Sequence, residues 1–297
     1  RSFDLTLHYK WNDKLYSSLN AEWERANGQY NFTYKNGSVT ERGKRTNADI
    51  NAFHAAYNMR YAVNDNNVVS MDLYYYHSQR GLPGAIIFYT EQGTQRQWDD
   101  NFFAQAAWKK KFSQKSELLV SGKYNYSYYN YLDTTYPATS PLRQNIFRQN
   151  ELYISGAYSY QLFSYVKMAY ASDFFTDKLS GNQAGFATPT RNTFLNNISA
   201  QLLFPKLQID GDILSTTVGN KIRNGAKPTN YQHFSPTISF IYRPFEDIPL
   251  RLRAFYKDIF RMPTFNDLYY TQVGNTNLKP ENTRQYNLGI KWKKNFA

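Results

Sequence analysis

The sequence predicts an all-β protein, a transmembrane antiparallel up-and-down β-barrel, and three observations carry that prediction. Apolar residues recur at every second position along nearly the whole chain, the alternating spans are long enough to cross a bilayer, and short polar turns alternate strictly with long connections. Successive strand side chains point to opposite faces, so a period of two means one oily face and one wet one.

The alternation is clearest in the middle of the chain. Leu118, Val120, Tyr124, Tyr126 and Tyr128 share one face, and Glu117, Ser121, Lys123, Asn125 and Ser127 share the other. From residue 149 the pattern repeats, with Leu152, Ile154, Tyr158, Tyr160 and Leu162 against Glu151, Ser155, Ser159 and Gln161. Ile198, Ala200, Leu202 and Phe204 oppose Asn197, Ser199 and Gln201, and near the end Tyr286, Leu288, Ile290 and Trp292 oppose Gln285, Asn287 and Lys291. No long segment carries the i, i+3, i+4, i+7 spacing of an amphipathic helix. About thirteen strands result, several of them 11 to 15 residues long. A tilted membrane strand needs roughly 9–11.

Short polar turns fall at residues 11–14, 64–67, 113–116, 161–164, near Pro205 and at 246–249. Long connections lie between them, at about 27–46, 78–97, 132–148, 176–193, 219–231 and 260–282. In a meander all short turns then share one rim and all long loops the other, which is the asymmetry of outer-membrane barrels. Aromatic residues collect where strands meet the short turns: Tyr9, Trp11, Tyr61, Trp108, Phe112, Phe163, Phe204, Phe245 and Phe296. Amphipathic rings prefer the head-group boundary, so these form an expected girdle. The chain opens on strand-like alternation at Ser2–Leu7 and stops just after a strand, and an odd strand count does not close. Both ends are therefore expected to continue in the native polypeptide.

Composition agrees. Aromatics make up 18% of the chain, with 27 Tyr and 21 Phe, yet mean hydropathy is −0.68. Aromatic and polar residues interleave in this way on strands that are wet on one side. No run approaches the roughly 20 apolar residues of a membrane helix. The net charge of +12 is spread singly along the chain rather than gathered in a patch, which argues against nucleic acid and for a solvated lumen, loops and contact with outer-membrane lipid. Without Cys there are no thiolate sites, and His8, His54, His77 and His233 lie far apart on different strands. Asp99 and Asp100 are adjacent on a strand and so point to opposite faces, while Asp133, Asp173 and Asp177 are too sparse for a calcium site. No metal, cofactor or catalytic constellation is expected, and hence no enzyme.

One stretch is more specific. Phe260-Arg261-Met262-Pro263-Thr264-Phe265-Asn266-Asp267-Leu268-Tyr269-Tyr270 precedes Gly274-Asn275-Thr276-Asn277-Leu278-Lys279-Pro280-Glu281. It resembles the loop signature of TonB-dependent outer-membrane receptors, and its wording is most similar to the cobalamin (vitamin B12) receptor-like branch of Bacteroidetes. Thr276-Asn277 departs from the Pro-Asp or Pro-Asn frequent there. The residues suit a loop architecturally. Arg261 can hold carboxylates or carbonyls, Pro263 lacks the N–H to continue a ladder, and Gly274-Asn275 supplies a turn tolerant of positive φ. Pro280 keeps Lys279 extended into the next strand. Phe265, Leu268, Tyr269 and Glu281 belong to the same motif.

The resemblance implies that residues 1–297 are part of a 22-stranded barrel, whose N-terminal plug domain and remaining C-terminal strands lie outside this chain. It implies energy-coupled uptake of a scarce bulky nutrient, cobalamin first or else haem or a siderophore, driven by the TonB complex through the missing N-terminal part. A surface lipoprotein over the loops is a further expected partner. Candidate ligand contacts on the long loops are Phe88, Tyr89, Tyr136, Tyr269 and Tyr270, with Phe147, Phe186 and Tyr231 as weaker ones. The apolar run 82–89 either grips an amphiphilic ligand or packs as a strand top. The rival readings are a passive channel or adhesin barrel without energy coupling and, more remotely, a soluble carbohydrate-binding β-protein.

Overall fold

The computed structural model describes residues 1–85, 93–225, 228–246, 248–270 and 274–292. Its strands are β1 (Ser2–Lys10), β2 (Leu15–Ala26), β3 (Tyr30–Asn36), β4 (Val39–Arg45), β5 (Ile50–Asn64), β6 (Asn67–Leu82), β7 (Gln95–Ser113) and β8 (Ser116–Leu132). They continue as β9 (Gln144–Phe163), β10 (Val166–Gly181), β11 (Thr190–Leu203), β12 (Leu207–Lys221), β13 (Tyr231–Tyr242), β14 (Leu250–Arg261) and β15 (Glu281–Trp292). Thirteen strands form one antiparallel meander, β1-β2-β5 and onward in sequence order to β15. The other two, β3 and β4, pair only with each other.

That hairpin occupies the first long connection, which sequence reading left as loop. Its turn is Gly37-Ser38, with Gly37 at φ 59. A Gly at the first of two turn residues matches strand twist, so the hairpin signal was present between Tyr30-Phe32-Tyr34 and Val39. Three other long connections are shorter than expected because the strands run on: β6 reaches Leu82 and β7 begins at Gln95, β9 begins at Gln144, and β10 reaches Gly181.

Register fixes the two faces across the whole sheet. Leu118, Tyr158, Tyr170, Ile198 and Ile213 are successive cross-strand partners on one face. One residue away, Glu117, Ser159, Ala169, Ser199, Asp212, Thr237 and Lys257 form the matching row of the other. The first face is apolar and bare, with Ile198 60% and Ile213 56% exposed. Only Phe147, Leu179, Val218, Phe265 and Leu268 are buried hydrophobics among the described residues. Apolar exposure on that scale is insoluble in water and ordinary in lipid. No described helix is long and apolar enough to cross a membrane.

The short turns are tied by their own side chains. Asn12 Oδ1 accepts from the backbone N–H of Lys14 and Leu15 at 2.8 and 2.9 Å, and Asn64 Oδ1 accepts from that of Asn66 at 3.0 Å. Around them stands the girdle: Tyr9 against Trp11 at 4.7 Å, and Phe163, Tyr165 and Phe204 in a stack at 5.7 and 5.6 Å. Lys110 lies over both Trp108 and Phe112, at 5.9 and 5.1 Å from the ring centres. Phe296 lies outside the described residues.

Candidate functional site: the inward loop after β14

The β14–β15 connection does not stand away from the barrel; it folds onto the inner wall at the long-loop end. Pro263 stops the ladder, and Thr264 then caps a single helical turn, α1 (Phe265–Tyr269). Thr264 Oγ1 accepts from the Asp267 backbone N–H at 3.3 Å, and Asp267 Oδ2 accepts from the Thr264 backbone N–H at 2.8 Å. These reciprocal bonds form a capping box. Thr264 Oγ1 also donates to Asp267 Oδ2 at 2.7 Å, and this bond, with the one from the Thr264 backbone N–H, holds the Asp267 carboxyl below its usual range. Sequence reading expected loop throughout, although Thr264 and Asp267 stand at capping-box spacing.

The turn aims Phe265 and Leu268 inward, where both are buried. Phe265 joins Phe147 and Leu179 in a small core, with Tyr129, Phe186, Tyr269 and Tyr270 packed around it. Tyr270 stacks on Phe147 at 4.2 Å and 6°, and Tyr269 meets Phe265 edge-on at 5.8 Å. Burial pushes both tyrosine hydroxyls above their ordinary pKa. Phe147 (β9), Leu179 (β10) and Tyr129 (β8) all sit on the wet face. The buried cluster on the inner wall is therefore completed by this loop.

Arg191, on β11, fastens it. The residue is 8% exposed. It donates from Nη1 to the Pro263 carbonyl at 2.7 Å and from Nε to Asn220 Oδ1 at 3.0 Å. It also lies 5.0 Å from the Phe265 ring centre. Asn220 is itself held, donating to the Thr229 carbonyl at 2.8 Å. At the loop's far end Gly274 donates to the Tyr270 carbonyl and Asn275 to the Asp267 carbonyl, each at 2.7 Å. The sequence points to a positive-φ turn at Gly274, but its φ is not positive; glycine is required there for space. A Cβ there would lie 2.7 Å from the Tyr270 oxygen and 2.8 Å from the Tyr269 nitrogen.

The other motif residues close the loop. Arg261 and Glu281 are register partners, with an ion pair at 3.7 Å. Asn275 also caps the turn through its side chain, accepting from the Asn277 backbone N–H at 2.9 Å. Leu278 donates its N–H to the Asn275 carbonyl at 3.2 Å but leaves its side chain exposed. Pro280 is half-buried at the entry to β15. Beneath α1 is a cavity of about 460 Å³, lined by Gln149, Asp177, Arg191, Thr193, Thr216 and Phe265 among others. Its size is that of a small-ligand pocket.

The expected contact residues are thus divided. Tyr269 and Tyr270 come together with Phe147 and Phe186, packed more than displayed. Tyr136 stays in its own loop, where its carbonyl accepts from Arg143 Nη1 at 2.9 Å. Phe88 and Tyr89 lie outside the described residues. The base of their loop is locked by Asn47, whose Nδ2 donates to the Gly93 and Gln95 carbonyls at 2.9 and 2.8 Å. Asp99 and Asp100 do face opposite ways but are not isolated: Arg80 pairs with Asp99, and His77 with Asp100, both at 2.7 Å.

The whole chain, residues 1–297, matches the family described as TonB dependent receptor-like, beta-barrel. No curated protein matches it in sequence. Among solved structures it is similar to the FrpB iron transporter from Neisseria meningitidis, at TM-score 0.74 and 11% identity over 98% of this chain and 50% of that one. It is also similar to the ferric-catecholate import receptor Fiu from K12 E. coli, at 0.71 and 10% over 98% and 54%. The copper transporter OprC matches at 0.71 and 11%, over 98% and 48%. The chain spans about half the length of these structures. It belongs to the TonB-dependent receptor β-barrel family, and its place is the bacterial outer membrane.

Proposed function

We propose that this chain is the barrel wall of a receptor that imports a scarce, bulky nutrient by TonB-driven uptake, and that it binds and transports rather than catalyses. The observation that carries the reading is the inward fold of the signature loop. It lays a buried aromatic turn on the inner wall, beside a half-open cavity of about 460 Å³. On this reading the complete polypeptide supplies a plug domain and the TonB contact, and the ligand meets the long loops from outside.

The substrate class is a metal-centred chelate. Cobalamin is the first candidate, because the loop's wording is that of the cobalamin-receptor-like branch of Bacteroidetes; haem and ferric siderophores follow. The similar structures are an iron transporter, a ferric-catecholate import receptor and a copper transporter, which supports a metal-bearing cargo and does not select cobalamin. Tyr136, Tyr269 and Tyr270, with Phe88 and Tyr89, remain the proposed contacts, and a surface lipoprotein over the loops remains a proposed partner.

The test uses the complete receptor, titrated with cobalamin, haem and ferric siderophores and inserted into planar bilayers. Tight binding of one chelate with nearly silent bilayers is expected. Open-pore conductance with no chelate bound removes the proposal.

A further inference from the structure

The register sorts the charged residues of the sheet between its two faces, and the lipid face keeps few. Among the described strand residues its carboxylate is Asp100, and it is already held. His77 and Tyr75 reach Asp100 at 2.7 and 3.3 Å. Of the strand cations on this face with no carboxylate among the ion pairs of the described residues, Arg25 and Lys110 lie apart, and three remain: Arg148, Lys178 and Lys221.

These three stand together. Lys178, Thr190 and Lys221 are successive partners across β10, β11 and β12. Arg148 pairs with Ser180, which places it diagonally beside Lys178 on β9. All three side chains are exposed. The guanidinium of Arg148 rests on the Tyr128 ring at 5.2 Å, which orients it while leaving its donors unspent. The outward residues between them, Asn150, Thr190 and Ser180, are uncharged.

Height places the trio at a boundary. Lys178 is the thirteenth residue of β10 counted from Val166 at the short-turn rim. A tilted strand crosses the hydrocarbon in roughly 9–11 residues, so Lys178 emerges where the outer head groups begin. Directly below, Ile154, Phe174 and Phe194 form one outward row, with Phe174 and Phe194 4.6 Å apart and Ile154 51% exposed. A cationic ledge above a bare aromatic strip is complementary to an anionic head group on acyl chains. Guanidinium and ammonium groups are also the usual partners of phosphate oxygens.

We propose that Arg148, Lys178 and Lys221 form a docking site for an outer-leaflet lipid with a phosphate-bearing head group, its acyl chains lying along Ile154, Phe174 and Phe194. The site is independent of which nutrient the barrel carries, so it stands or falls apart from the import reading.

The test uses the complete receptor in neutral detergent, offered phosphatidic acid, phosphatidylcholine or inorganic phosphate, with retained adducts counted by native mass spectrometry. Phosphatidic acid should be retained about tenfold or more over phosphatidylcholine. The triple variant Arg148→Gln, Lys178→Gln, Lys221→Gln should lose that preference, and each single variant should lose part of it. Lys110→Gln, at the opposite rim, should keep it. Equal retention by the wild type and the triple variant overturns the site. Displacement of the lipid by inorganic phosphate at equal concentration also overturns it, because a free-anion site has no use for the chains. Heat-modifiable mobility shows that each variant barrel is folded.

Discussion

Replacing Arg191 by Ala should free the signature loop without unfolding the barrel, and the structure sets the size of the effect. Two charge-assisted hydrogen bonds disappear, at 2.7 and 3.0 Å, together with the contact to Phe265. Such bonds contribute about 1.5–3 kcal/mol each and an Arg–aromatic contact about 0.5–2. Against that sum stands the desolvation of a buried guanidinium, several kcal/mol on its own, which Ala does not suffer. Water from the adjoining cavity can also reach the freed Pro263 carbonyl. The net loss in loop docking is then roughly 2–4 kcal/mol, or about 30- to 700-fold in the opening equilibrium. Hydrogen exchange reads it directly, because the Gly274 and Asn275 amides are bonded only while the loop is folded. Those two amides should exchange faster by that factor, and the β10–β11 ladder amides should not change. Arg191→Lys should fall near Ala, since an ammonium cannot fork between Pro263 and Asn220. Acceleration below threefold at Gly274, or equal acceleration throughout the ladder, refutes the latch.

Gly274→Ala should open the same loop by about 1–3 kcal/mol, because the new methyl meets backbone atoms that cannot swing aside; exchange at Asn275 checks it. Tyr270→Ala removes the stack on Phe147 and should cost the docked loop about 1–3 kcal/mol, with chymotrypsin nicking within 260–282 as the readout. Because Thr264 lowers the Asp267 carboxyl, the capping box contributes fully above the unfolded carboxylate pKa and is lost as pH falls through the depressed folded value. Loop opening should therefore rise in acid below about pH 4, and Asp267→Asn should flatten that profile. Ile198→Lys, in the middle of the lipid face, should cost about 2–4 kcal/mol in vesicle refolding, whereas Ser199→Lys next to it should cost little.

What the sequence disclosed follows from the two solvents of a barrel. Inside the bilayer span the two faces meet oil and water, so Leu152, Ile154 and Tyr158 alternate with Glu151, Ser155 and Ser159, and faces and strand order can be read. Above the membrane both faces meet water. Gln95-Arg96-Gln97 and Asn145 through Gln149 then carry no alternation although their ladder hydrogen bonds continue. That is why β6, β7, β9 and β10 outrun the expected spans. The β3–β4 hairpin escaped for the same reason, despite its Gly-Ser turn. Arg191 could not be found at all: its partner Pro263 is 72 residues away, and a lone Arg in a polar row carries no local mark.

The signature loop resolves a difficulty that this inversion creates. A barrel spends its apolar residues outward, and its inner wall, where Phe175, Leu195 and Leu214 are interleaved with Glu151, Asp177, Thr193 and Thr216, offers little dry surface on which a loop could rest. The chain answers by bringing its own. Phe147, Leu179 and Val218 are buried inner-wall exceptions, and the loop supplies Phe265, Tyr269 and Tyr270 to meet the first two. Three such side chains cannot hold a loop of some twenty residues against its conformational entropy, which runs to about 1–2 kcal/mol per ordered residue. The capping box, the Gly274 contacts and the Arg191 fork make up part of the difference. Each of them is polar, local and open to competition from water. A loop held this way is folded but near its threshold, so a ligand entering the cavity beneath it can shift its position with a differential affinity of a few kcal/mol. An apolar seal of ordinary core size could not be moved so cheaply.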